Sequence, residues 1–153
     1  MDIKKSELFI AIQRIPILSL EDTVSDAIDA MKGKNTRLAV IIQNGQRWDL
    51  WSDEISEYCT TKGPVTPWMV NLKTLTEGVP PASEVDAAAG SEEAERLLLE
   101  ERALMVMEGG DLVGVTSKDS QALWPPAVSE CVQGHLFFPP IPKKCPYDGT
   151  MVE

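Results

Sequence analysis

The chain has 153 residues, 43% of them hydrophobic and 25% charged, and a formal net charge of −10. Those proportions describe a folded chain of about one domain, or one domain plus an appendage. An acidic surface repels phosphate backbones and anionic lipids, so nucleic-acid binding and membrane adsorption are disfavoured.

No apolar run approaches the roughly 18–20 residues that a membrane span requires. The opening MDIKKSELFIAIQRIPILSL has its apolar residues interrupted by Glu7, Gln13 and Arg14, so it does not read as a signal peptide. A cytoplasmic protein is expected. There, three cysteines read as thiols or metal ligands rather than as a disulfide framework.

In chain order, KKSELFIAIQRI predicts a helix near the start. Asp22 or Thr23 can cap a second helix, whose apolar residues Val24, Ala27, Ile28 and Met31 share one face, with Gly33 as its stop. RLAVIIQ, residues 37–43, is a strand, Asn44-Gly45 a hairpin turn, and QRWDLW the return strand. SDEISEYCTTKG follows as a helix ending near Gly63, on which Cys59 reads as a buried thiol. Prolines and glycines mark 63–82 as a linker with a short helix over 68–77. Ser91 can cap a helix that turns Ala94, Leu97 and Leu98 inward. ALMVME is a strand, Gly109-Gly110 a turn and DLVGVT its return. SKDSQALW is a last short helix, stopped by Pro125-Pro126.

The order strand, helix, strand, turn, strand, helix thus occurs twice, and TVSDAIDAM superposes on GSEEAERLL at an offset of 67 residues. A twofold internal repeat is the main organisational feature. The halves span about 16–62 and 83–124, within a pair over 1–126, and a tail covers 127–153.

A repeated β-α-β-β-α unit with a helix-opening T-V-x-x-A and a closing G-x-x-T-x-x-D resembles the CBS domain, which usually occurs as a tandem pair about a pseudo-twofold axis. The resemblance rests on DTVSDAIDAM and RLAVIIQNG in the first half, and on SEEAERLLL and GDLVGVTSKDSQAL in the second. It implies an α/β fold and a non-catalytic regulatory module. Such a module binds an adenine nucleotide between its halves, with Thr116 at phosphate or ribose oxygens and Asp119 accepting from ribose hydroxyls. In the first half Ser52 takes the Thr position and Ile55 the Asp position, with Asp53 out of register. The strand Gly114-Val115-Thr116 reads one residue shorter than the family's. The alternative for Thr116 and Asp119 is simple capping of the last helix, by Thr116 or Ser117. An adaptor that keeps the fold without the ligand is the other reading. The family's exposed helix faces imply a homodimer, with Trp51 among its candidate contacts, and an unidentified protein partner.

The tail holds the sole histidine and two of the three cysteines. Cys131 and His135 are spaced C-x3-H, and Cys145 and Asp148 C-x2-D, which fits a tetrahedral zinc site with Asp148 or water in the fourth place. The segment is similar to bacterial zinc-ribbon-like knuckles in Gly134-His135, Pro139-Pro140 and CPYDG, with Asp148 where cysteine is commoner. Packing and turn roles for these residues remain the alternative. No Ser/His/Asp or Cys/His catalytic arrangement and no phosphate-binding glycine loop is found.

Overall fold

Two runs of consecutive apolar residues become the middle strands of two sheets in the computed structural model, which describes residues 2–61, 70–119, 129–130, 136–137, 143–144 and 149–152. The first sheet holds β2 (Ile17–Leu18), β3 (Leu38–Gln43) and β4 (Gln46–Trp51), in the order β2-β3-β4. The second holds β1 (Phe9–Ala11), β5 (Glu84–Asp86), β6 (Ala103–Glu108) and β7 (Asp111–Ser117), in the order β1-β7-β6-β5. In each sheet a short strand runs parallel to the middle strand, which then turns back antiparallel: β2-β3-β4 and β5-β6-β7. The repeat seen in the sequence is therefore a repeat of topology. Both hairpins close on two residues of positive φ, Asn44-Gly45 (49° and 78°) and Gly109-Gly110 (61° and 87°), the turn that matches the twist of paired strands.

The middle strands read as unbroken apolar runs because both of their faces are buried. Successive side chains alternate between two clusters. Ala39 and Ile41 join Val24, Ala27, Ile28 and Met31 of α1 (Val24–Lys34) in the first half's own core. Leu104 and Val106 join Ala94 of α4 (Ser91–Leu97) and Ile3 in the second half's core. The alternate residues, Leu38, Val40 and Trp51 on one side and Ala103, Met105 and Val115 on the other, form a third cluster shared by the two sheets.

Helix α1 starts where the sequence places it, at Thr23, whose side chain and that of Asp26 cap each other's backbone N–H groups. Its end is later than Gly33. Asn35 adopts the left-handed conformation (φ 50°) and closes the helix, a role that Asn tolerates. Helix α4 is capped by Gly90, and Ser91 is its first, buried residue. Thr23 and Gly90 are thus equivalent caps at the repeat's own offset. Helix α2 (Ser52–Thr61) follows β4 directly, and the linker carries α3 (Leu72–Thr76) within the expected 68–77. The side chain of Cys59 and the end of α2 near Gly63 lie outside the described residues.

The opening segment is not a helix. Two 3-10 turns, Ile3–Lys5 and Ile12–Arg14, flank β1, which pairs antiparallel with β7 (Phe9 with Thr116, Ala11 with Gly114). The gain from joining a sheet edge and burying Ile3 and Ile10 overrides a local pattern that fits a helix. Nor is the second return strand short. β7 has seven residues against six in β4, and its register shifts by one between Val106 and Met107, so Val113 is an extra, bulged residue. Ser117 belongs to this strand, not to a helix, and 118–119 turn away from it. The rest of the expected last helix lies outside the described residues. So do all four expected zinc ligands, Cys131, His135, Cys145 and Asp148. In the tail, β8 (Ser129–Glu130) pairs antiparallel with β9 (Leu136–Phe137), and Lys144 bridges Met151.

Candidate functional site

Where β4 runs into α2 and β7 ends, the two sheets meet at a cleft of about 400 Å³. One wall is the linker segment Val79-Pro80-Pro81-Ala82, which is tied to β4 by the Ala82 N–H donating to the Arg47 carbonyl (2.9 Å) and the Trp48 indole N–H to the Val79 carbonyl (3.0 Å). Among the described lining residues five are acidic, Asp49, Asp53, Glu54, Glu57 and Glu101, and one, Arg102, is basic.

Arg102 stands immediately before β6 and organises this cleft. Its two terminal nitrogens donate to the two carboxylate oxygens of Asp53 on α2, both at 2.9 Å, and its Nε donates to Asp119 at 2.9 Å. The guanidinium lies over the Trp51 ring, 4.1 Å from its centroid. That ring is 1% exposed and fixed in turn: its indole N–H donates to Asp49 (2.7 Å) and its backbone N–H to Glu54 (3.1 Å). Ser117, fully buried, donates from Oγ to the Arg102 carbonyl (2.7 Å) and accepts from the Asp119 N–H (3.1 Å).

These contacts set the ionisation of the site. The hydrogen bonds from Arg102 hold Asp53 below the usual carboxylate range against the opposing effect of burial, helped by the charges of Arg102 and Arg37. Arg102 feels partial burial, which disfavours its charge, but the hydrogen bonds to Asp53 and Asp119 outweigh it and raise its pKa. Glu54 moves the other way. Much of its side chain is exposed, but its carboxyl turns back to the Trp51 N–H against the cleft wall. Burial there, then the neighbouring charge of Asp49, push it up to about 7.

The two residues expected at a nucleotide lie near this cleft but are not brought together. Asp119 does not line it, but its carboxylate is engaged by Arg102, which does. Thr116 is 1% exposed and pairs across the sheet with Leu104. Cross-strand partners share a face, and Leu104 belongs to the second half's own core, so Thr116 faces that core while Val115 faces the cleft side. The bulge at Val113 puts Ser117, rather than Thr116, opposite Ala103, as Trp51 is opposite Leu38. Trp51 is likewise unavailable as an oligomer contact, being covered by Arg102. Sequence reasoning passed over Arg102. Its one signal is positional: Arg37 and Arg102 each directly precede the middle strand of a repeat. Among the described residues no group of three or more His, Cys, Asp and Glu is placed to hold a metal ion. No helix among them is long and apolar enough to cross a membrane.

The paired β-α-β-β units, the first followed directly by α2, with a cleft between them, have the fold of the tandem CBS-domain proteins. No protein-family model matches the sequence, and no curated protein does so either. Solved structures do match. A hexameric CBS-CP12 protein from bloom-forming cyanobacteria superposes with a TM-score of 0.60 at 21% identity, over 72% of this chain and 62% of its own. This chain therefore spans somewhat under two thirds of that protein. A CBS domain-containing protein from Bacillus anthracis str. Ames Ancestor gives 0.61 at 6% identity, over 78% and 88% of the two chains. Hypoxic Response Protein I, solved with two coordinated zinc ions, gives 0.57 at 17% identity, over 74% and 92%.

Proposed function

We propose that the chain is a non-catalytic regulatory module of the cytoplasm that acts as a protein–protein adaptor and takes no adenine nucleotide between its halves. The observation that carries this reading is the engaged carboxylate of Asp119. A ribose diol would have to displace a charge-assisted bond from Arg102 to reach it. The surrounding surplus of carboxylates opposes the phosphates that would come with the ribose. Calorimetry against AMP, ADP, ATP, NAD and S-adenosylmethionine should give no binding heat. A nucleotide that binds, and whose affinity falls roughly tenfold or more in Asp119→Ala, would replace the adaptor reading by a nucleotide sensor using Asp119.

The tail is proposed to hold one structural zinc through Cys131, His135 and Cys145, with Asp148 or water as fourth ligand. Each ligand pair is bracketed in sequence by an antiparallel pairing, Cys131 and His135 by β8 and β9, Cys145 and Asp148 by the Lys144–Met151 bridge. Paired knuckles of this kind suit a four-coordinate ion. The metal would supply the folding energy of a segment too short for a core. Elemental analysis of protein purified without added metal should find close to one equivalent. Well under half an equivalent would leave the cysteines and histidine as packing and turn residues.

A further inference from the structure

The two halves touch mainly through the shared cluster of Leu38, Val40, Ala103, Met105 and Val115. Apolar contact of this kind is strong but non-directional, so by itself it fixes no angle between the sheets. Arg102 supplies a contact of another kind. Its stem belongs to the second half, where Ser117 holds its carbonyl and Asp119 its Nε. Its fork belongs to the first half, where Asp53 takes both terminal nitrogens and Trp51 underlies the plane. Only a flat, forked cation can satisfy two carboxylates and lie on an aromatic ring together; a lysine ammonium is a point charge without the plane. Trp51 does not yield easily, because Asp49 and Glu54 pin its two N–H groups.

We propose that Arg102 is a releasable clasp between the two halves, rooted in the second half by Asp119, with Asp53 as its catch and Trp51 as its seat in the first, and that it fixes how far the halves close on each other. The side chains are partly exposed, 37% for Arg102, 62% for Asp53 and 49% for Asp119. Pairs so exposed add little to overall stability and are screened by salt. Such a contact can open without unfolding either half, because α1 and α4 are packed into separate cores that do not include it. The clasp goes beyond the adaptor reading: it concerns how the halves are held, not what they bind, and its test needs no ligand.

The test is amide hydrogen exchange on the full chain. In Arg102→Gln and in Asp53→Asn, residues 50–55 and 115–119 should exchange about fivefold faster or more, while 24–34 and 91–97 keep their wild-type rates. Arg102→Lys should lie between the two, since it keeps the charge and loses the fork. Raising salt from about 0.05 M to about 0.5 M should shift the wild type toward Arg102→Gln and leave that variant unchanged. The wild-type half of the salt arm, faster exchange at 50–55 and 115–119 with 24–34 and 91–97 unchanged, needs no substitution, so it holds even where a variant folds poorly. Unchanged rates at 50–55 and 115–119 in both variants would overturn the proposal. So would a rise spread evenly over α1 and α4, which would make Arg102 a general support of the fold.

Discussion

The carboxyl of Glu54 ionises near 7 instead of near its ordinary 4.5 because the cleft wall buries it and Asp49 lies beside it. Its folded value is above its unfolded value, so the unfolded chain ionises first. Stability therefore falls as pH rises from about 4.5 to about 7 and carries the whole penalty above that. Glu54→Gln keeps an acceptor for the Trp51 N–H without the charge. The variant's gain in Tm over wild type should be near zero at the acid end and grow to a plateau above neutrality. Thermal unfolding at a series of pH values checks this, and a gain independent of pH would contradict it. Asp53 has the opposite sign: its folded value is depressed, so its contribution is present above about 3.8 and is lost as pH falls below it. At this scale Asp119 could be picked out from its motif, but its partner could not. Arg102 lies 17 residues before Asp119 and 49 after Asp53, and no local rule joins them.

Helix α1 was legible as an element because its face and its cap are local: four apolar residues at helical spacing and a Thr23–Asp26 capping box. Strand β1 was not, because what makes it a strand is β7. The two backbones meet closely at Gly114, where a Cβ would run into the Ile10 carbonyl and the Phe9 ring. Gly114→Ala should therefore push β1 off the sheet edge and cost about 1–3 kcal/mol, the range for overpacking a tight site. A urea midpoint lowered without change in slope, with faster amide exchange at residues 9–11, is the expected result. An unaltered midpoint would mean that β1 yields at no cost and contributes little to the second sheet.

For the whole molecule, the repeat in the sequence is the repeat in the fold, and the shared cluster joins its two copies. Outside the cleft the described surface still exposes large apolar side chains, Leu99 at 74% and Ile17 at 47%. Self-association of this chain, as a homodimer or larger, is the expectation drawn from the sequence resemblance, and it is tested at this scale. It would be by way of such faces rather than Trp51. Light scattering should give a mass above 16.8 kDa per particle at micromolar concentration. A monomer at high micromolar concentration would overturn that expectation. The proposed zinc is tested at this scale too: a chelator should disturb residues 127–153 and leave the two sheets folded, because each half has its own core.

The four hairpin strands, their turns, the start of α1 and the doubling of the unit were all legible in the sequence. These depend on periods of two and 3.6 residues, on caps and on turn residues, all of which act within a few positions. Tertiary structure alone decided that the first residues complete the second half's sheet, through pairs such as Phe9 with Thr116. It also decided that a bulge at Val113 turns Thr116 into the core and sets Ser117 opposite Ala103. The clasp of Arg102 belongs with these. The edge pairing and the clasp join segments far apart along the chain, and the closure of so long a loop is selected by burial summed over the whole fold, which no short stretch of sequence records; the bulge lies within one hairpin and shows only in its register.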